Sequence, residues 1–187
     1  DVSIECNTND EVKTLTESIQ QMAQNLKAYV KEINGLVYRD GLTGVKNKMY
    51  YYEYIKSLSE EAQKQPYTIV VFKVTGLAGV NKTKGRKCGD ELIVTACGII
   101  CRVFSHSPIF RIGGDEFVAF LKGNDYMKCG ELLREFEDLS SDVTLVSAPD
   151  IAVRIVYGTA QSADGTEPYE EVFCRADEEM DQKKKGM

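Results

Sequence analysis

The chain has 187 residues, 43% of them hydrophobic, enough for one well-buried core and an appendage. Its formal net charge of −6, with no basic run interleaved with aromatics, argues against a nucleic-acid-binding surface. Six cysteines without C-x-x-C spacing and a single histidine, His106, argue against a zinc site. No apolar run reaches the length of a membrane span or a signal peptide, and a start at Asp1 rather than methionine reads as part of something longer.

Taken in chain order, Thr8-Asn-Asp-Glu11 fits a helix capping box. Behind it Val12, Leu15, Ile19, Met22, Leu26, Tyr29, Ile33 and Leu36 alternate spacings of three and four, the seam of a coiled coil. An amphipathic helix lying on its own domain fits the same pattern. Lys46 to about Lys64 is expected as a helix with Met49, Tyr52, Ile55 and Leu58 on one face. Tyr67-Thr-Ile-Val-Val-Phe-Lys-Val74 is a nearly continuous apolar strand, a sign of burial on both faces. Gly89 to about Phe104 is a further helix, in which Cys97 and Cys101 read as core packing. Ile109–Ile112 and Glu116–Leu121 form a hairpin, Tyr126 to Leu139 a polar helix, Ile151–Tyr157 an alternating strand and Pro168 to Lys184 a last helix. That order predicts an α+β sandwich: two β-α-β halves around an antiparallel central sheet flanked by helices.

The chemistry concentrates in Arg111-Ile-Gly-Gly-Asp-Glu-Phe117. Gly113-Gly114 suits a tight turn with positive φ, holding Asp115 and Glu116 at its tip. Hard carboxylate oxygens beside open backbone suit a hydrated divalent cation carrying a nucleotide triphosphate. An ordinary Gly-Gly hairpin with solvated acids fits the same residues.

From about Tyr38 onward the chain resembles the GGDEF domain of bacterial diguanylate cyclases. Arg39-Asp-Gly-Leu-Thr-Gly-Val-Lys-Asn-Lys48 is similar to the family's opening Asp-x-Leu-Thr-Gly-Leu-x-Asn-Arg segment. Asn81, Gly85 and Gly89-Asp90 fall at the spacing of its Asn-Asp-x-x-Gly-His-x-x-Gly-Asp stretch. Arg175-Ala-Asp-Glu-Glu-Met180 with Lys184 resembles its closing Ala-Asp-x-x-Met-Tyr-x-x-Lys helix. The resemblance implies a ferredoxin- or palm-like fold and two domains: a signalling helix over 1–37, similar to the last helix of a HAMP module, and a GGDEF domain over 38–187. It also implies a homodimer through the N-terminal helix, joining two GTP molecules into cyclic di-GMP with Mg²⁺ or Mn²⁺. By the same resemblance Asp115 and Glu116 are the metal-binding and catalytic carboxylates, with Gly113 and Gly114 beside the phosphates. Asn81 and Asp90 read guanine, where an amide and a carboxylate answer its edge. Lys184 contacts the terminal phosphates; taken alone, it and Lys183 and Lys185 fit a helix C-terminus that favours cations. The expected setting is the cytoplasmic side of a bacterial membrane receptor.

The pattern breaks at the metal. The family's first strand ends Asp-x-Asp-x-Phe-Lys; those positions here read Lys73, Thr75, Leu77 and Ala78, with Lys82 and Arg86 replacing an aspartate and a histidine further on. At about 4 Å and an effective dielectric of about 20, a unit-charge pair is worth roughly 4 kcal/mol. Lysine in place of a ligand turns that attraction into repulsion toward a divalent ion. The expectation is a weak or silent cyclase in which Lys73 is left to neutralise phosphate, so that GTP binding persists. An active cyclase with one metal held by Asp115 and Glu116, and a signal relay that binds no nucleotide, remain the alternatives. The family's Arg-x-x-Asp inhibitory pair reads Phe104 and Ser107, which predicts no product-feedback site.

Overall fold

The structure, a computed structural model, describes residues 10–60 and 65–186, with the side chains of 12–26, 37–59 and 65–186. It divides into two compact units, Asp1–Arg39 and Asp40–Met187. The first contains one helix, α1 (Asp10–Val37). Along it Val12, Leu15, Ile19, Met22 and Leu26 are 43–70% exposed, an apolar seam open to solvent. The side chains of Tyr29, Ile33 and Leu36, and the start of the capping box at Thr8 and Asn9, lie outside the described residues.

The second unit holds β1 (Lys46–Asn47), α2 (Lys48–Glu60), β2 (Tyr67–Val74), α3 (Leu77–Lys84), α4 (Arg86–Val103), β3 (Ile109–Arg111), β4 (Glu116–Lys122), α5 (Gly123–Met127), α6 (Cys129–Ser140), β5 (Ile155–Ser162) and α7 (Tyr169–Lys185). The sheet runs β1-β3-β4-β2-β5. β3, β4, β2 and β5 pair antiparallel in that order, and the two-residue β1 adds a parallel edge beside β3.

Strand alternation sends β2 residues to opposite faces. Val70, Phe72 and Val74 pack with Phe117, Ala119 and Leu121 of β4 against Leu92, Ile93, Ala96 and Ile100 of α4 and Phe136 of α6. Ile69 and Val71 join Val118 and Phe120 against Tyr51 of α2 and Val172, Ala176 and Met180 of α7. The sheet is therefore covered by helices on both sides, and β2 is buried at every position except Lys73.

Several elements depart from the expected boundaries. In α2 Met49 and Tyr52 are 56% and 58% exposed, while Tyr51 is buried and ring-stacks edge-on with Phe110 and Tyr169. A run of tyrosines lets packing partners choose the face, and the larger aromatic cluster wins. The single helix expected over 126–139 is two, α5 and α6, meeting at Lys128. Around 151 the backbone forms a turn instead of a strand, with Leu145 N–H donating to Ile151 O and Ile151 N–H to Ala148 O. The ladder with β2 begins at Ile155 and continues to Ser162.

Candidate guanine-nucleotide site

β2 and β4 run antiparallel in a register that sets Lys73 directly opposite Glu116. Cross-strand partners on one face are close enough for long side chains to meet. Here Lys73 Nζ lies 2.5 Å from Glu116 Oε1. The two side chains are 19% and 33% exposed, so the pair is shielded without being dry. The hydrogen bond to Glu116 is the main reason that Lys73 holds its proton more tightly than an ordinary lysine. Burial opposes this, and the charges of Glu116, Asp115 and Asp181 add to it.

The turn carrying the signature differs from expectation. Gly113 and Gly114 are not among the glycines with positive φ. Ile112 N–H and Gly113 N–H both donate to Glu116 O, at 3.0 and 3.4 Å, which closes a wider loop that ordinary φ values satisfy. Gly113 gives the Glu116 side chain room instead: a Cβ there would lie 3.0 Å from Glu116 Oε2 and 3.3 Å from its Cβ, and the side chain would have to give by a few tenths of an ångström. Arg111 braces the loop from behind. Its Nη2 donates to Gly114 O at 2.5 Å and its Nη1 to Asp40 Oδ1 at 2.8 Å. Burial pushes the Asp40 carboxyl upward, but hydrogen bonds from Thr43 and Arg111 outweigh it and hold the group below its ordinary value. Val74 N–H donates to Asp115 O at 2.8 Å, so the backbone of Asp115 is anchored to the end of β2.

α7 supplies two acids that sequence reasoning passed over. Asp177 and Asp181 are one turn apart, beside the buried stripe of Val172, Ala176 and Met180. Burial raises the Asp177 carboxyl, and repulsion from Asp181 and Glu116 raises it further, against a smaller opposing pull from Lys73. The signal was present: apolar residues at 172, 176 and 180 fix the inward face of the helix, and Asp177 and Asp181 follow at its edge. Helical periodicity puts Lys184, exposed in the last turn, on the stripe of Asp177 and Asp181.

Asn81 and Asp90 stand elsewhere, on α3 and α4. Asn81 lies within the helix α3. Its amide fits over Gly89 so closely that a Cβ on Gly89 would lie 1.9 Å from Asn81 Oδ1. Asp90 is the next residue along α4. Both side chains are exposed, and neither forms a hydrogen bond to another described residue. The close approach of α3 to α4 thus seats the Asn81 amide over Gly89, one residue before Asp90. At the positions that the resemblance aligns with the family's inhibitory pair, Phe104 is fully buried against Phe72 and Phe136, and Ser107 donates to Asp125 Oδ2 at 2.5 Å.

An antiparallel core with helices on both faces and a Gly-Gly-Asp-Glu-Phe loop at a strand end is the architecture of the nucleotide-cyclase type. The family model "Diguanylate cyclase, GGDEF domain" matches residues 37–187, and the chain belongs to that family. It is 31% identical to the diguanylate cyclase DgcS of Shewanella oneidensis over 148 residues, 78% of this chain and 49% of DgcS. The chain therefore spans about half the length of that curated relative. Among solved structures, the coiled coil and GGDEF domain of DgcB from Caulobacter crescentus in complex with c-di-GMP superposes with a TM-score of 0.77. The identity is 21%, over 95% of this chain and 96% of that one. The GGDEF domain of FimX from Pseudomonas aeruginosa gives 0.69 at 19% identity, over 78% and 92% of the two chains. At these identities the structures bear on the fold.

Diguanylate cyclases normally use Mg²⁺ or Mn²⁺. The donor set here does not fit such an ion. Where the resemblance sets the family's first ligand, the chain carries the Lys73 ammonium, which is bonded to Glu116. Among the described residues, no three carboxylate, thiol or imidazole side chains gather into a group able to hold a metal. Hard divalent cations need several oxygen donors converging on one point.

Proposed function

We propose that this GGDEF domain serves as the output module of a bacterial signalling receptor that binds a guanine nucleotide and has little or no cyclase activity. The observation that carries this reading is the 2.5 Å pair between Lys73 and Glu116. It occupies a signature carboxylate and sets a positive charge where family members carry a metal-binding aspartate. GGDEF domains bind GTP or cyclic di-GMP and often dimerise. The unengaged Asn81 and Asp90 support the nucleotide part of that behaviour here, and the exposed seam of α1 supports dimerisation through the N-terminal helix. A place on the cytoplasmic side of a membrane receptor rests on the resemblance of that helix to the end of a HAMP module. Among the described residues no helix is long and apolar enough to cross a membrane.

The test is product formation from GTP with Mg²⁺ or Mn²⁺ by the unaltered chain and by Lys73→Asp, both shown to be dimeric, with products separated by chromatography. Silence from the unaltered chain and cyclic di-GMP from the variant are expected. Substantial product from the unaltered chain would replace this reading with that of an active cyclase, in which Asp115 and Glu116 suffice.

A further inference from the structure

Resting on the guanine-binding reading above, we infer that this site recognises the guanosine moiety itself and gains nothing from a triphosphate or from a divalent cation. Guanosine and GMP are then ligands at least as good as GTP. Within the GGDEF architecture this reverses the usual dependence on phosphate and metal.

The two halves of the site point to this from their own geometry. On the base side, Asn81 is seated over Gly89 and Asp90 follows directly, with both polar groups unengaged among the described residues. A carboxylate accepts two hydrogen bonds from the guanine edge, and an amide can donate to its acceptor. Nothing in that half requires a phosphate.

On the phosphate side, Lys73 is engaged by Glu116 at 2.5 Å. Asp115 and Asp181 lie within electrostatic reach of the same ammonium, and Asp177 within reach of Glu116 and Asp181. A triphosphate drawn toward Lys73 would meet an ammonium already paired with Glu116 and under the influence of Asp115, Asp177 and Asp181. Like charges brought close together repel, and a partly shielded site weakens that repulsion less than open water does. A divalent ion would ordinarily relieve that repulsion, but Lys73 denies it a ligand and adds a charge of the wrong sign. Lys184, exposed at the end of α7, is one further cation on that side and does not restore the balance.

Lys82 and Arg86 flank the base side and are exposed. Their attraction for phosphate is diffuse and is screened beyond about 8 Å at physiological salt. The test is therefore run at that ionic strength.

The experiment is calorimetric or fluorescence-competition titration of the full chain with guanosine, GMP, GDP and GTP, each in Mg²⁺ and in EDTA. Lys73→Asp, Lys73→Met and Gly89→Ala are titrated alongside. The expected result is a dissociation constant for GTP no tighter than that for guanosine, with less than about a threefold change on removing Mg²⁺. Lys73→Asp should gain about tenfold for GTP in Mg²⁺ alone, and Lys73→Met should gain no dependence on the metal. Gly89→Ala, which displaces the Asn81 amide, should lose all four ligands while keeping its unfolding midpoint. GTP binding at least tenfold tighter than guanosine, with or without Mg²⁺, would overturn the inference and leave the guanine-binding reading standing. No binding of any of the four would overturn both.

Discussion

Asn81 and Asp90 stand on packed helices with their polar groups unengaged, whereas Lys73 and Glu116, on adjacent strands, are engaged with each other. The difference lies in what holds each pair. Helix packing through Gly89 positions Asn81 without using its amide. Strand register sets Lys73 and Glu116 face to face, where opposite charges on neighbouring strands must meet. A site half can thus be preserved in shape and available, or preserved in shape and internally neutralised. Sequence motifs alone do not separate the two.

The largest effect that sharpens this contrast concerns the helix carrying Asp177 and Asp181. A Cβ on Gly158 of β5 would lie 2.0 Å from Ala176 O and 2.4 Å from Met180 N, both backbone atoms that cannot turn aside. Gly158→Ala is expected to cost about 3 kcal/mol, read from the denaturant midpoint. A variant as stable as the parent would mean that α7 is not held against the sheet in this way.

Arg111→Met comes next. Arg111 and Asp40 are 12% and 23% exposed, and the variant leaves a shielded carboxylate supported by Thr43 alone. A loss of about 2–3 kcal/mol is expected, below the full cost of an orphaned buried charge. Because the folded Asp40 carboxyl titrates below its ordinary value, its stabilising contribution is present above the unfolded pKa of about 3.9 and is lost as pH falls through the folded one. The gap between parent and variant should accordingly narrow below about pH 4 and stay constant above it. A gap that persists unchanged in acid would assign the effect to packing of the arginine stem.

Lys73→Met tests the neutralised half directly. It leaves Glu116 facing Asp115 and the α7 acids without its partner, at a cost of about 1–2 kcal/mol, between the exposed and buried limits for ion pairs. No loss in thermal or chemical unfolding would show that the pair contributes nothing, and that Glu116 is free for other work.

The smallest effect has the opposite sign. The folded Asp177 carboxyl titrates above its ordinary value, so folding loses stability as pH rises from the unfolded pKa through the folded one. Asp177→Asn should be more stable than the parent at neutral pH, by no more than about 0.5 kcal/mol once solvent screening is discounted. The two should converge below about pH 4. Destabilisation at neutral pH would place Asp177 in a favourable contact instead of a repulsive cluster.

Much of the fold was legible because its signals are local and periodic. β2 reads as a strand buried on both sides, the rise and fall of α7 follows its charges, and the signature motif falls between two apolar strands. α3 was not legible: Leu77-Ala-Gly-Val-Asn-Lys-Thr-Lys84 is eight residues long with one buried side chain, Val80, and owes its helix to packing on α4. β5 was misplaced by four residues because alternation over 151–157 competes with a turn that only the neighbouring 143–148 segment creates. In the site, Lys73 was visible as a departure from the family pattern. Its partner was not, since Glu116 is remote in sequence and is chosen by strand register.

The sequence by itself determined the layered α+β class, the family and the presence of a lysine where a metal ligand is expected, because composition, periodicity and motif order are one-dimensional properties. Tertiary structure alone decided that this lysine is spent on Glu116, that Asp177 and Asp181 crowd the same end of the sheet, and that Asn81 rests on Gly89 beside Asp90. Those are matters of distance between segments far apart in the chain. Register, helix packing and the short range of charge interactions set them.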